Sequence, residues 1–227
     1  MGGEIFAVRI GDKYGIEYEK YQESKLGRIN WIRYEDRGIK LWWNRMKVFG
    51  IKRDYPVIII DIDMLWINDY RKIIDYPVQR GEFLTTRNWW GMDQPSQKEY
   101  TFSGGFYKFW PEDTAYISKL FYTRPDHWQQ NYINLGIAQG PVGGEMNFVE
   151  DAVKKKLEIK YIPEEWNGQA PKMTKELQAT YNSKYKNDWY YLGGEFHPDL
   201  KVIHYQGWHE NGDYEIPKSF LFSSIQA

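Results

Sequence analysis

The chain has 227 residues, with 30 lysines and arginines against 31 aspartates and glutamates, and it contains no cysteine. A formal net charge of −1 argues against a nucleic-acid backbone or an anionic membrane surface as partner, since both call for clustered cations. The missing cysteine excludes disulfides, thiolate metal ligands and a cysteine nucleophile.

The length fits one domain with a substantial core. The opening Met1-Gly2-Gly3-Glu4 lacks the basic-then-apolar pattern of a secretory leader, and the apolar runs are too short to span a bilayer. A soluble, cytoplasmic protein is the expectation. Aromatic residues make up 18% of the chain. Most such rings are expected in the core. Some are expected on a surface that stacks on sugar or base faces.

In chain order, Ile5 to Ile10 reads as a strand ended by Gly11-Asp12. Glu17 to Leu26 reads as a helix, Ile29 to Tyr34 as a strand and Asp36 to Phe49 as a helix closed by Gly50. Val57-Ile58-Ile59-Ile60 is β-branched and apolar throughout, which suits a central strand covered on both faces. Strands are expected near Phe83 to Thr86, at Ile159 to Ile162 and at Val202 to Tyr205, and a strand or ledge at Ser103 to Phe109. Helices are expected from Glu112 to Tyr122 and from Phe148 to Leu157. The polar stretch from Glu164 to Tyr191 reads as a helix and loops. Strands alternating with helices predict an α/β fold with a mostly parallel central sheet flanked by helices.

Asp61 and Asp63 follow the apolar run directly. In an open α/β sheet, ligands bind beyond the carboxyl ends of the strands. Residues two apart on an extended chain point the same way, so both carboxylates can face one point. Two hard oxygen donors there suit Mg²⁺ or Mn²⁺ and leave positions for phosphate oxygens. Asp-x-Asp after an apolar strand also fits a dehalogenase-type phosphatase, with the first aspartate as phosphoryl nucleophile. That motif normally opens its chain, whereas here βα structure precedes it.

Four segments in order resemble the GT-A class of nucleotide-sugar glycosyltransferases, particularly the glycogenin- and galactosyltransferase-like group. They are Phe6 to Tyr14, Trp42 to Lys47, Ile60-Asp61-Ile62-Asp63, and His204-Tyr205-Gln206-Gly207. The resemblance implies a single Rossmann-like domain over residues 1–227. Its nucleotide-binding half covers about residues 1–105 and its acceptor and sugar half about 106–227. It implies a metal held by Asp61, Asp63 and His204, the last as the late histidine ligand. It implies a UDP-sugar donor of the UDP-glucose or UDP-galactose type, a hydroxyl acceptor and transfer with retention. A non-catalytic sugar-nucleotide-binding module is the other class kept open.

The remaining candidates follow from the same comparison. Asp12, Lys13 and Tyr14 are expected to hold uracil and ribose, and Arg9, Gly11, Ile62 and Gly207 are further expected substrate-binding residues. His209, Lys13 or Arg45 is expected to donate to the leaving diphosphate. Ser103, Gly104 and Gly105 resemble the small-residue ledge under the donor sugar, where a backbone must approach closely. Arg87 is expected to line the sugar pocket, and Glu145 is the candidate catalytic carboxylate. The chain departs from the group twice. Glu145-Met146 stands where an Asp-Gln is usual, and Trp208-His209-Glu210 follows Gly207 where Lys-Pro-Trp is usual.

Overall fold

A computed structural model describes residues 6–10, 19–20, 23–24, 30–35, 37–61, 64–66, 69–87, 100–138, 143–170 and 199–205. The chain divides into two compact units, Met1–Arg45 and Met46–Ala227. In the first, β1 (Phe6–Ile10) pairs in parallel with β2 (Asn30–Tyr34). Glu19 is buried there and bonded through both carboxylate oxygens to Arg33. That hydrogen bond and the Glu19 charge raise the guanidinium pKa. A 3₁₀ helix, Leu41–Gly50, runs across the boundary between the units.

The second unit carries the main sheet. Its strands are β3 (Val57–Ile60), β5 (Glu82–Arg87), β6 (Phe102–Phe109) and β7 (Glu158–Tyr161), in the order β3-β6-β5-β7. A smaller sheet has β4 (Met64–Trp66), β9 (Val202–Tyr205) and β8 (Asn167–Ala170), in the order β4-β9-β8. The helices are α1 (Arg71–Asp75), α2 (Pro111–Thr123), α3 (Pro125–Asn134) and α4 (Glu145–Lys154). Among the described residues no helix is long and apolar enough to cross a membrane.

The sheets are mixed rather than mostly parallel. β5–β7 and β8–β9 are parallel, whereas β6 runs against both β3 and β5, and β4 runs against β9. The expected central strand also moves. Val57, Ile58 and Ile59 are half-buried and Ile60 is 39% exposed, while every residue of β6 is buried. Strand β6 therefore takes the place that the apolar run at 57–60 was expected to fill.

Alternation along β5 and β6 builds two cores. On one face Phe83 lies opposite Phe109 and stacks on both Phe109 and Phe102, each at 5.6 Å between ring centroids and 2° between planes. Phe49 joins this stack at 5.0 Å from Phe109. On the other face Leu84 and Phe106 pack with Met64, Ile73, Val78, Ile162 and Val202. The expectation that most rings fill the core holds for Trp43, Phe49, Phe83, Phe106, Tyr107, Phe109, Phe121 and Phe148, all fully buried. Trp42, Tyr55 and Tyr122 remain exposed.

Lys108 shares the second face and is buried. Its ammonium donates to the carbonyls of Ile74 (2.7 Å) and Tyr76 (2.6 Å). Those carbonyls lie at the end of α1, where helix acceptors lack intrahelical partners. Desolvation holds the Lys108 pKa below its usual value, and the charge of Asp75 opposes that shift.

Candidate functional site

The site begins with an irregularity in β6. Thr85 pairs with Tyr107 and Arg87 with Phe102, so Thr86 alone faces the four residues from Ser103 to Phe106. A bulge of this kind bends a strand and re-aims its residues. Gly104 takes a φ of +77°, a left-handed conformation open to glycine without a Cβ penalty. Hydroxyls hold the bulge from beneath. Thr85 Oγ1 donates to the Phe106 carbonyl at 2.9 Å, and the Thr86 and Ser103 hydroxyls bond to each other.

The bulge presents Gly105 to the end of β3. Asp61 N donates to the Gly105 carbonyl at 3.0 Å, which fixes Asp61 where the strand stops. Met64 N donates back to the Asp61 carbonyl at 3.3 Å, so β4 starts beside the end of β3. In β4, Met64 lies in register with His204 of β9. A Cβ built on Gly105 would sit 3.1 Å from Met64 Sδ, 3.4 Å from His204 Nδ1 and 3.5 Å from His204 Cε1. Gly105 is thus the floor under the His204 imidazole. Asp61 and His204, 143 residues apart in sequence (204 minus 61), meet around one glycine.

Solved structures share this architecture. The galactosyltransferase LgtC in complex with donor and acceptor sugar analogs superposes with a TM-score of 0.51 at 14% identity, over 86% of this chain and 74% of LgtC. An active-site mutant of LgtC gives 0.55 at 16% identity over the same shares. The glycosyltransferase GlyE of Streptococcus pneumoniae TIGR4 gives 0.56 at 11% identity, over 90% of this chain and 48% of GlyE. The chain has the GT-A glycosyltransferase fold. Mouse xyloside xylosyltransferase 1 agrees, with 0.50 at 12% identity, over 89% of this chain and 84% of that one. No protein-family model matches the sequence, and no curated protein matches it.

Within the GT-A fold the predicted residues fall into three groups. Asp61, Ser103, Gly104, Gly105 and His204 come together at the carboxyl end of β3 as described. Asp63, Ile62, Gly11, Asp12, Lys13, Tyr14, Gly207 and His209 lie outside the described residues. The rest belong to other elements. Arg9 belongs to β1, in register with Arg33 of β2. Arg45 is half-buried in the 3₁₀ helix Leu41–Gly50. Arg87 ends β5 and donates to Glu164 at 3.1 Å, with its guanidinium 5.2 Å from the Tyr161 ring centre.

Glu145 opens α4 and is buried, 4% exposed. A carboxylate suits the first turn of a helix, where unpaired N–H groups carry partial positive charge. The residue before it, Gly144, has a φ of +94°. A Cβ there would fall 2.7 Å from the Tyr132 Cβ. Gly144→Ala therefore combines left-handed strain with a core clash and is expected to cost about 2–4 kcal/mol, read as a lower urea midpoint.

Helix α4 also anchors β6. Asp151 accepts from Tyr132 (2.7 Å) and Tyr100 (3.2 Å). Burial first, then the Asp151 hydrogen bond and charge, raise the Tyr132 pKa and keep the phenol a donor. Tyr116 donates to the Ala152 carbonyl at 2.8 Å, and burial pushes its pKa up to about 12. Glu150, 1% exposed, accepts from the backbone N–H groups of Thr101 and Phe102 and from the Thr101 hydroxyl. Glu150 was not singled out in the sequence, where a lysine four residues after a glutamate on a helix has the pattern of an exposed pair. That pair exists, at 2.9 Å, but its acid faces inward.

A divalent cation was the implied cofactor. Among the described residues no three histidine, aspartate or glutamate side chains gather to hold one. Asp63, the third expected ligand, is not among them. The donor types present do fit. Asp61 offers hard oxygen and His204 offers imidazole nitrogen, a combination suited to Mn²⁺ or Zn²⁺ and tolerated by Mg²⁺. The missing side chain at Gly105 leaves open the space that a Cβ would fill beside His204.

Proposed function

We propose that the chain is a metal-dependent glycosyltransferase that moves a sugar from a UDP-sugar to a hydroxyl acceptor with retention at the anomeric carbon. The observation that supports this most is the meeting of Asp61, Gly105 and His204 beyond the end of β3 in a GT-A fold. LgtC was solved with donor and acceptor sugar analogs, and the same two classes of ligand are proposed here.

In this reading Asp61, Asp63 and His204 hold Mn²⁺ or Mg²⁺. A bound cation supplies Lewis-acid stabilisation of charge on a diphosphate leaving group. The protein's own residues do the rest. The bulge at Ser103-Gly104-Gly105 brings backbone close beneath the donor sugar. Asp12, Lys13 and Tyr14 hold uracil and ribose, with Arg9, Gly11, Ile62 and Gly207 as further substrate contacts. His209, Lys13 or Arg45 donates to diphosphate oxygens as charge builds there. Arg87 lines the sugar side. With retention, the acceptor proton leaves through the departing phosphate oxygen. Glu145 is the carboxylate that an inverting course would use as base. One domain with a nucleotide half over about residues 1–105 and a cytoplasmic setting complete the proposal.

The test is a screen of nucleotide-sugars with Mn²⁺, read by release of UDP. Turnover of UDP-glucose or UDP-galactose, stopped by a chelator, is the expected result. Tight binding without UDP release from any donor would instead make the chain a binding module. Phosphate release from an aryl phosphate would favour the phosphatase chemistry.

A further inference from the structure

Asn167 is the first residue of β8 and is 2% exposed. Neither Nδ2 nor Oδ1 has a hydrogen-bond partner among the described residues. Burying an amide with nothing to bond is costly, and such groups are scarce in folded proteins. A strand start filled by valine would avoid that cost.

Its position relates the amide to the site. In the β8–β9 pairing Asn167 is in register with Val202, and Gln169 with His204. Across β9, Val202 and His204 are in register with Trp66 and Met64. Paired residues share a face of a sheet, and so do residues two apart. Asn167 therefore stands on the same face as His204, one diagonal step away. With a rise near 3.3 Å per residue and a strand spacing near 4.8 Å, the two Cα atoms are about 8 Å apart. The segment that delivers it is fixed independently. Trp166 N donates to the Pro163 carbonyl (3.0 Å), Lys201 N donates to the Trp166 carbonyl (2.9 Å), and Arg87 bonds Glu164 at the start of the 3₁₀ turn Glu164–Trp166.

We infer that Asn167 binds the donor sugar, bonding its hydroxyls through both ends of the amide. The inference rests on the proposed sugar-nucleotide reading of the site. The choice of ligand group follows from donor and acceptor counts. The amide offers two N–H donors and a carbonyl acceptor. A diphosphate oxygen accepts only, and would leave Oδ1 bare. A sugar hydroxyl both gives and takes, and two neighbouring hydroxyls match the two ends of the amide. The place is consistent, since the sugar is joined to the phosphate that the site at His204 is proposed to hold. Asn167 thereby becomes a sugar-selecting residue, distinct from the groups that hold the nucleotide.

The experiment compares the full-length chain with Asn167→Val and Asn167→Ser. It measures thermal stability, the affinity for UDP with Mn²⁺, and the affinity for UDP-glucose and UDP-galactose. Asn167→Val is expected to melt about 2–4 °C higher or more, because the orphaned amide is gone. Its UDP affinity should stay within about twofold, while its affinity for the bound UDP-sugar falls about 10-fold or more. Asn167→Ser, which keeps one donor and acceptor, should lose less. A lower melting temperature in Asn167→Val would show that the amide serves the fold, and would overturn the inference. So would an unchanged UDP-sugar affinity, or an equal loss for UDP and UDP-sugar. If the unmodified chain binds neither UDP nor a UDP-sugar with Mn²⁺, the sugar-nucleotide reading itself fails and this inference falls with it.

Discussion

Glu150→Ala is expected to destabilise the chain by about 3–5 kcal/mol, the cost of breaking a buried charged network from one side. The carboxylate is 1% exposed and fully engaged. Thr101 N donates at 2.9 and 2.8 Å to its two oxygens, Thr101 Oγ1 at 2.9 Å and Phe102 N at 2.9 Å. Lys154 adds an ion pair at 2.9 Å. Alanine strands two backbone donors, Thr101 N just before β6 and Phe102 N at its first residue. Glu150→Gln keeps the shape and loses the charge, so a smaller loss of about 1.5–3 kcal/mol is expected. Urea unfolding with an unchanged slope checks both values. Because β6 carries the Ser103-Gly104-Gly105 bulge, the alanine variant should also lose UDP-sugar binding before it unfolds globally.

The second large effect is on the site itself. Gly105→Val is expected to reduce transfer by about 100-fold, the scale on which a displacement near 1 Å acts on positioned groups. Gly105 is absent from the positive-φ residues, so valine meets no backbone penalty and suits a strand. Its obstacle is steric. The Cβ falls 3.1 Å from Met64 Sδ and 3.4 Å from His204 Nδ1, and the valine methyls reach further into the space beside the imidazole. Gly105→Ala needs only the flexible Met64 sulfur to move, so a smaller loss is expected. Kinetics of both variants beside their melting curves check the prediction. Activity should fall in the order glycine, alanine, valine, with stability changing far less.

Much of this arrangement was legible in the sequence because its signals are local. The β-branched run at 57–60 gave its strand to the residue, and Val202–Tyr205 likewise appears as read. Asp61 and His204 were expected to share a site, and the structure brings both to Gly105. What escaped is non-local. Strand direction depends on partners far along the chain, so the reversed β6 made a mixed sheet out of one expected to be mostly parallel. The bulge exists only relative to Thr85, Thr86 and Arg87 on the neighbouring strand. Helix Pro125–Asn134 has a weak apolar stripe within the polar sequence Pro-Asp-His-Trp-Gln-Gln-Asn, and its clearest mark is proline at the first helical position. The helix expected from Asp36 to Phe49 forms over Leu41–Gly50 instead, as a 3₁₀ helix. Helix α4 starts three residues before the expected Phe148, since Gly144 supplies the left-handed turn that opens it. Strands β4 and β8 are three and four residues long. β8 opens with Asn-Gly, a pair that reads as a turn, and this hid Asn167.

The most direct test of the metal site is calorimetry of UDP binding, with and without Mn²⁺, in the unmodified chain and in Asp61→Ala, Asp63→Ala and His204→Ala. Expected is UDP binding that requires Mn²⁺ and weakens about 10- to 100-fold or more in each variant, as loss of a ligand or its support does elsewhere. UDP binding that ignores Mn²⁺, or that persists undiminished with its metal dependence in the Asp63 and His204 variants, would contradict it.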